Sequence, residues 1–268
     1  MRLISSQKRK AKLPSNIESL EDVVDELRYS GPSLRYLRPI LAVDFSSSCA
    51  PMHARARSVA FVKEEAAGGA EGEQDFEALI GVFGSMFGGL NADHPKVHAF
   101  GFGDASSPHS IFPFFLSRNL APSPCLLQDI KKRYAETSKT VLPASTLHLA
   151  PLIRQAVQTQ QEQSGLHLLF IITGGQLADP KETQKALQEA SKVPLMIVVV
   201  GVGEGPWDGM VRLEDAEGAF NNVWFSQFDG RAPQQEKLVF YNRLALIVIE
   251  MLRNIKKLKY TVKPQAIT

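Results

Sequence analysis

Two long apolar runs limit the folds open to this chain more than any other feature of its sequence. The runs LHLLFIIT (166–173) and VPLMIVVVGVG (193–203) contain almost no polar side chains. Unbroken runs of this length are typical of parallel strands that helices cover on both faces. A third run of this kind, PILAV (39–43), lies nearer the start of the chain. The sequence therefore predicts a sheet whose central strands are buried.

Helical patterns separate these runs. Apolar residues recur at helical spacing in the segments 147–163 and 234–255, and a shorter helix is predicted within 180–192. Further strands are predicted at 97–102 and at 222–228, the latter near an edge of the sheet. Strands that alternate with helices predict an α/β fold, with a doubly wound, Rossmann-like and mostly parallel sheet flanked by helices.

The sequence shows no internal repeat and no linker between domains, so one domain is predicted. Its expected extent is 17–262, with a basic flexible tail at 1–16, a second tail at 263–268 and a flexible loop at about 63–74. The domain is expected to begin with a helix, because Ser19-Leu-Glu-Asp22 has the pattern of a capping box.

The net charge of +2 and the pI of about 8.5 are too low to indicate a nucleic-acid partner. Basic residues are concentrated in the first 16 residues and in KKLKYTVK (256–263). We expect both stretches to be solvated tails, and the alternative is that they contact an acidic surface such as a tubulin tail, anionic lipid or RNA.

The two cysteines, Cys49 and Cys125, cannot form a disulfide framework, which favours a reducing compartment. The chain has no apolar run long enough to predict a transmembrane helix, and its N-terminus lacks the apolar region of a signal peptide. We therefore expect a cytoplasmic protein, with the cytoskeleton or a cilium as the more specific alternatives.

Asp44, Ser46 and Ser48 follow the run 39–43 directly. Alternate residues of an extended segment point the same way, so the two hydroxyls and the carboxylate can face one point. Carboxylate and hydroxyl oxygens are ligands of the kind that Mg²⁺ favours. The alternative is a serine-rich turn whose hydroxyls cap the next helix.

No pattern in the chain predicts a catalytic site. The stretch GVGEG (201–205) lacks the third glycine of a dinucleotide loop, and no phosphate-binding loop, nucleophile elbow or HExxH zinc motif occurs. The six histidines are scattered; His98 falls in a predicted strand and His148 on a predicted helix, and neither has a second ligand at metal spacing. The chain is therefore not expected to be an enzyme.

Several motifs resemble one family in their order along the chain. They are ESLEDVVDELRYSG (18–31), FGFGDAS (100–106), LAPLIRQA (149–156), HLLFIITGG (167–175) and PLMIVVVGVGEGPWDGM (194–210). These stretches resemble the copine-type von Willebrand factor A (vWA) domain, in the variant carried by copine-like, plant-type RING E3 ubiquitin ligases. The resemblance covers about residues 17–262.

The resemblance implies a metal-ion-dependent adhesion site (MIDAS) at the C-terminal edge of the sheet. In the family, Mg²⁺ is held by a D-x-[ST]-x-S motif, by a threonine of a later loop and by an aspartate in an Asp-Gly pair. Asp44, Ser46 and Ser48 match the first element. Thr146 is the best match for the loop threonine, with Ser145 as the alternative.

The third element of the implied site differs in this chain, because Gly174 replaces the expected Asp. Attraction to a divalent ion is weaker without this carboxylate. Asp104 and Asp179 are the nearest carboxylates in the sequence that could compensate. The sequence leaves open whether the site binds Mg²⁺.

The resemblance implies a non-enzymatic protein–protein interaction domain with a degenerate MIDAS face. Its partner is another protein, which supplies an acidic side chain to the ion, and the segments 103–107 and 203–208 are expected to form the rim. The alternative is a structural subunit of a large cytoskeletal or ciliary assembly with a vestigial, metal-free site. The tandem C2 and the RING domains of the relatives are not expected, because few residues flank the matching region and the chain has two cysteines.

Overall fold

The structure of the chain is a computed structural model. It describes residues 17–30, 37–49, 73–88, 96–107, 109–114, 125–175, 177–215 and 222–257. The predicted tails at 1–16 and 263–268 lie outside these ranges, as do residues 63–72 of the predicted loop. Residues 73 and 74 of that loop instead begin a helix.

Strands and helices alternate over most of the described chain. The strands are β1 (Arg38–Asp44), β2 (Lys96–Phe102), β3 (Ile111–Pro113), β4 (Cys125–Leu126), β5 (His167–Thr173), β6 (Leu195–Val202) and β7 (Val223–Phe228). The helices are α1 (Leu20–Ser30), α2 (Glu73–Gly88), α3 (Ile130–Thr140), α4 (Ala150–Gln163), α5 (Pro180–Ala190), α6 (Asp208–Asp215) and α7 (Gln234–Lys257).

The strands form one mixed sheet in the order β3-β2-β1-β5-β6-β7, with β4 paired to the start of β2. β1, β2, β5, β6 and β7 run parallel, while the short strands β3 and β4 run antiparallel to β2. The predicted fold class is therefore confirmed, and β7 lies at an edge as expected. After β1 the chain adds β2 on one side of β1 and later returns to add β5 on the other side, so the switch point of the sheet lies between β1 and β5.

Helices cover both faces of the sheet, and this accounts for the unbroken apolar strands. In β5, Leu168, Phe170 and Ile172 belong to the core layer beneath α1, α2, α3 and α7. Leu169 and Ile171 belong to the opposite layer, beneath α4, α5 and α6. Since successive side chains of a strand point to opposite faces, a strand covered on both sides needs an apolar residue at every position.

The first helix starts where its local sequence pattern predicts, whereas the start of α4 is set by contacts with other loops. The capping box is present: Asp22 N–H donates to Ser19 Oγ (3.2 Å), and Ser19 N–H donates to Asp22 Oδ2 (2.7 Å). The helix predicted at 147–163 is α4, and its predicted start at 147 is wrong, because α4 begins at Ala150. Residues 144 and 147 instead make backbone hydrogen bonds to other loops, so His148 lies in a loop rather than on a helix. None of the described helices is long and apolar enough to cross a membrane.

Candidate functional site

Asp44 ends β1 at the switch point, and its side chain is fully buried. Its Oδ1 accepts a hydrogen bond from the backbone N–H of Ser46 (2.8 Å). Its Oδ2 accepts one from the hydroxyl of Thr173 (2.7 Å) and a longer one from the backbone N–H of Gly174 (3.3 Å). Because Thr173 ends the neighbouring strand β5, the carboxylate joins the ends of the two strands on either side of the switch point.

The structure brings Ser46 and Ser48 together beside this carboxylate. Their hydroxyl oxygens lie 2.8 Å apart, within one hydrogen bond of each other. Ser46 is buried and Ser48 is exposed, so the pair extends from the buried carboxylate to the surface. Three of the predicted ligands, Asp44, Ser46 and Ser48, therefore occupy one turn at the carboxyl edge of the sheet.

Two glycines pack so closely against this turn that neither can carry a side chain without displacing it. Gly103 has a φ of +80°, and a Cβ there would lie 2.7 Å from Ser46 N and 3.1 Å from Asp44 Oδ1. A Cβ on Gly175 would overlap Ser48 Oγ and lie 3.5 Å from Ser46 Oγ. The loops after β2 and β5 thus enclose the turn after β1 on two sides.

Cys49 lies next to the same carboxylate and is fully buried. Burial raises the pKa of its thiol well above the ordinary value, and the negative charge of Asp44 and a hydrogen bond to it act in the same direction. The thiol therefore stays protonated at neutral pH and adds a weak donor to the surroundings of Asp44. Sequence reasoning did not assign this contact to Cys49.

The connection between α3 and α4 forms a third loop of the site. Ser47 N–H donates to Ala144 O (2.7 Å) at one end of this loop. At the other end, Ala178 N–H donates to Leu147 O (2.9 Å). The segment 144–147 thus runs from the turn after β1 to the loop after β5, and Thr146 lies between the two anchoring bonds.

Thr146 is exposed, and its hydroxyl contacts the side chain of His148. The distance from Thr146 Oγ1 to His148 Nε2 is 3.2 Å, and that from His148 Nδ1 to Asp179 Oδ2 is 2.9 Å. The ring of His109 packs edge-on against His148, with the ring centroids 4.3 Å apart. Asp179 is therefore linked to Thr146 through a histidine, a connection that the sequence did not predict.

Asp104, the other carboxylate considered from the sequence, links the segment after β2 to the loop between α3 and α4. Its Oδ2 accepts a hydrogen bond from the Ser106 hydroxyl (2.7 Å), and its Oδ1 accepts a longer one from Leu142 N–H (3.3 Å). These bonds hold the segment after β2 against residues 142–144, where Leu142 is 64% exposed. Asp104 thus shapes the expected rim of the site.

The residue types at this edge fit a hard cation, although with little charge. A buried carboxylate and neighbouring hydroxyls are oxygen donors of the kind that Mg²⁺ prefers, and Mg²⁺ commonly keeps several waters. Gly174 contributes its backbone N–H to Asp44 and has no carboxylate of its own. Within the described residues, no group of three or more His, Cys, Asp or Glu side chains could hold a metal ion.

Comparison with known proteins gives a consistent family. A sequence model of the copine family matches residues 71–248. "Copine family protein 2" of Caenorhabditis elegans is 29% identical over 222 residues, which are 80% of this chain and 3% of that protein. "E3 ubiquitin-protein ligase RGLG2" of Arabidopsis thaliana is 29% identical over 242 residues, 83% of this chain and 49% of that protein. The chain thus spans at most about half the length of these two relatives.

Solved structures with a similar course of the chain are more distant. Proximal thread matrix protein 1 from the mussel byssus has a TM-score of 0.48 at 14% identity, over 80% of this chain and 46% of that one. The "SpRpn10 VWA domain" has a TM-score of 0.47 at 12% identity, over 76% of this chain and 94% of that one.

The family assignment rests on the sequence match, which extends over more than half of the chain. The matched residues include α2 through β7 and most of α7, and the sheet observed here is the one that the resemblance implied. The chain therefore belongs to the copine family, with the copine-type vWA fold that its motifs predict.

Proposed function

We propose that this chain is a protein-interaction domain that binds its partner at the carboxyl edge of the sheet, with the help of a divalent cation. The observation that carries the proposal is the turn after β1, where a buried carboxylate adjoins two hydroxyls 2.8 Å apart. Ligands of doubly wound sheets bind at the carboxyl ends of the strands, beside the switch point. Asp44 occupies that position here.

Each residue of the proposed site has a separate role. Asp44 supplies the negative charge, and Ser46 and Ser48 supply neutral oxygens beside it. Thr146 supplies a further oxygen from the loop between α3 and α4. The bound cation would link this face to an acidic side chain of the partner protein. Mg²⁺ fits this oxygen donor set, and Mn²⁺ is a convenient probe of the same site.

The second candidate is a structural subunit whose same face binds without an ion. It is favoured by the hydrogen bonding of Asp44, whose charge is balanced by the donors of Ser46, Thr173 and Gly174 in the absence of a cation. A carboxylate satisfied in this way does not need a metal to remain buried. The cytoskeleton and cilia are the assemblies proposed for this version.

We propose binding rather than catalysis for this domain. The name of the Arabidopsis relative states ubiquitin ligase activity, and that protein is about twice as long as the matched region. The 268 residues here contain two cysteines, too few for a zinc module of the RING type. Both cysteines are free and buried, which supports the proposed cytoplasmic location.

Thermal unfolding of the purified protein with and without millimolar Mg²⁺ or Mn²⁺ distinguishes the two versions. An ion at ten times its Kd stabilises the native state by about 1.4 kcal/mol, which raises the Tm measurably. Ser48→Ala removes an exposed ligand and should abolish most of this increase. Ser191→Ala, at a half-buried serine after α5 and outside the site, is the control and should keep it.

A wild-type protein whose Tm does not respond to either ion contradicts the cation-assisted version. The metal-free version then predicts that Asp44→Asn lowers the free energy of unfolding whether or not ions are present, since the donors around the side chain lose their charged acceptor.

A further inference from the structure

We infer that Asp179, acting through His148, orients the hydroxyl of Thr146 and makes its oxygen a stronger ligand, so that it partly offsets the carboxylate absent at Gly174. This inference rests on the proposed cation site and assigns two positioning residues to it. Neither residue belongs to the ligand set that the sequence predicted.

The hydrogen-bond chain fixes the tautomer of His148. An ionised carboxylate only accepts hydrogen bonds, so the 2.9 Å contact between Asp179 Oδ2 and His148 Nδ1 places a proton on Nδ1. In the neutral imidazole the other nitrogen, Nε2, is then an acceptor. With His148 in this neutral form, the Thr146 hydroxyl 3.2 Å away donates its proton to Nε2. The lone pairs of Thr146 Oγ1 remain available to a cation or to a donor of the partner.

Packing holds the hydrogen-bonded side chains of Asp179, His148 and Thr146 in place. The side chain of His148 is 11% exposed, and that of Asp179 is 33% exposed. Asp179 Oδ1 also accepts a hydrogen bond from the Thr183 hydroxyl (3.2 Å), while the ring of His109 lies against His148. The imidazole is thus fixed from the carboxylate side and along its edge, while Thr146 at its other end stays exposed.

An ordinary helix-capping role does not account for the Asp179 carboxylate. Asp179 is the N-cap residue of α5, yet its side chain makes no capping hydrogen bond to the backbone of that helix. Its two oxygens are directed to His148 and to the Thr183 hydroxyl instead. Asp residues at this position usually bind a backbone N–H of the first turn, whereas here Oδ2 is left to the contact with His148.

The position of Asp179 makes it suited to compensate for Gly174. Both residues belong to the loop between β5 and α5, and Asp179 is the first carboxylate along the chain after Gly174. The backbone bond between Ala178 and Leu147 brings this loop against the segment that carries Thr146. In carboxylate–histidine–metal arrangements the carboxylate raises the basicity of the histidine that binds the metal. We infer that the same polarisation reaches the Thr146 hydroxyl, one hydrogen bond beyond His148.

The test compares the wild-type protein with Asp179→Asn, which has the same shape. The asparagine amide can donate to His148 Nδ1, which moves the imidazole proton to Nε2 and leaves the Thr146 hydroxyl without its acceptor. We expect ¹⁵N NMR of the ion-free protein to show His148 protonated on Nδ1 in the wild type and on Nε2 in the variant. We also expect Mn²⁺ to bind the variant about 10- to 100-fold more weakly.

Two further variants separate the relay from a general loss of charge or stability. Glu162→Gln removes an exposed carboxylate at the end of α4, at the opposite edge of the sheet, and should change the Mn²⁺ affinity less than twofold. Thr146→Val removes the exposed hydroxyl itself. Because Asp179 acts through Thr146, the double variant should bind Mn²⁺ no more weakly than Thr146→Val alone.

The outcomes distinguish this inference from the function on which it rests. Mn²⁺ binding to the wild type with unchanged affinity in Asp179→Asn overturns the relay and leaves the cation site standing. Additive losses in the double variant, or a wild-type His148 protonated on Nε2, overturn it as well. A wild type that binds no Mn²⁺ refutes the cation-assisted function and the relay together.

Discussion

His167 should make the fold sensitive to acid from the edge of the sheet opposite the candidate site. It is the first residue of β5, it is fully buried, and its Nδ1 contacts Gly165 O (3.3 Å). Its Nε2 has no hydrogen-bond partner among the described residues. Burial lowers the pKa of His167 to about 4, and the positive charges of Arg38 and His98 act in the same direction, while the Gly165 carbonyl opposes them.

The sign of the effect follows from where the proton binds. Between pH 6.5 and 4 the unfolded chain protonates this histidine and the folded protein does not, so stability falls as the pH falls through this window. The lowered pKa implies a loss, relative to neutral pH, of about 1 kcal/mol at pH 5.5 and about 2 kcal/mol at pH 4.5. Burial also lowers the pKa of His98, which adds to the effect with the same sign.

Urea unfolding at pH 7.0, 5.5 and 4.5 measures this loss, and His167→Gln isolates it. Glutamine does not titrate and can still donate to the Gly165 carbonyl. The free energy of unfolding of the wild type should therefore fall about 2 kcal/mol further than that of the variant between pH 7.0 and 4.5. His109→Gln, at an exposed position, is the matched control.

Parallel pH profiles for the wild type and His167→Gln would refute the reasoning. They would mean that the unpaired imidazole accepts a proton in the folded state almost as easily as in the unfolded chain. If the free energy of unfolding falls by the same amount in His109→Gln and His167→Gln between pH 7.0 and 4.5, the effect is not specific to the buried ring.

Two substitutions, each with a control, test the packing of the site and the capping of the first helix. Gly175→Ala should displace the Ser48 hydroxyl and lose the Mn²⁺-dependent rise in Tm, at a cost of about 1 kcal/mol. Gly84→Ala, where a new methyl meets nothing within 4 Å, should instead stabilise α2 by about 1 kcal/mol and keep the ion response. Ser19→Ala should lower the free energy of unfolding by about 1 kcal/mol through loss of the capping box, whereas Ser85→Ala on the exposed side of α2 should change it by less than about 0.5 kcal/mol, both measured by urea unfolding.

The fold could be predicted from the sequence because most strands of the sheet have a distinct apolar pattern in their own residues. A strand covered on both faces, such as β5, is apolar at all its central positions (168–172), and this signal depends only on its own residues. β3 and β4 have three and two residues, too few to give a periodic pattern. The start of α4 was misjudged because two long-range backbone bonds, at residues 144 and 147, prevent helix formation there despite the apolar pattern.

The candidate site was predictable only where its residues are neighbours in the chain. Asp44, Ser46 and Ser48 stand in one turn, so their spacing shows that they can meet. The bond from Thr173 to Asp44 spans 129 positions, and the contact between His148 and Asp179 spans 31. No local pattern encodes such pairs, since they arise only when β1 and β5 lie side by side and the loops meet above them.

The loop between α3 and α4 is anchored by its main chain, at Ala144 and at Leu147. Side chains at 145 and 146 take no part in these two bonds, and both are exposed. Substitution there can therefore alter what the loop offers to a partner while its path stays the same. In related chains, single mutations at these two positions should change which partner is bound, without compensating changes in the core.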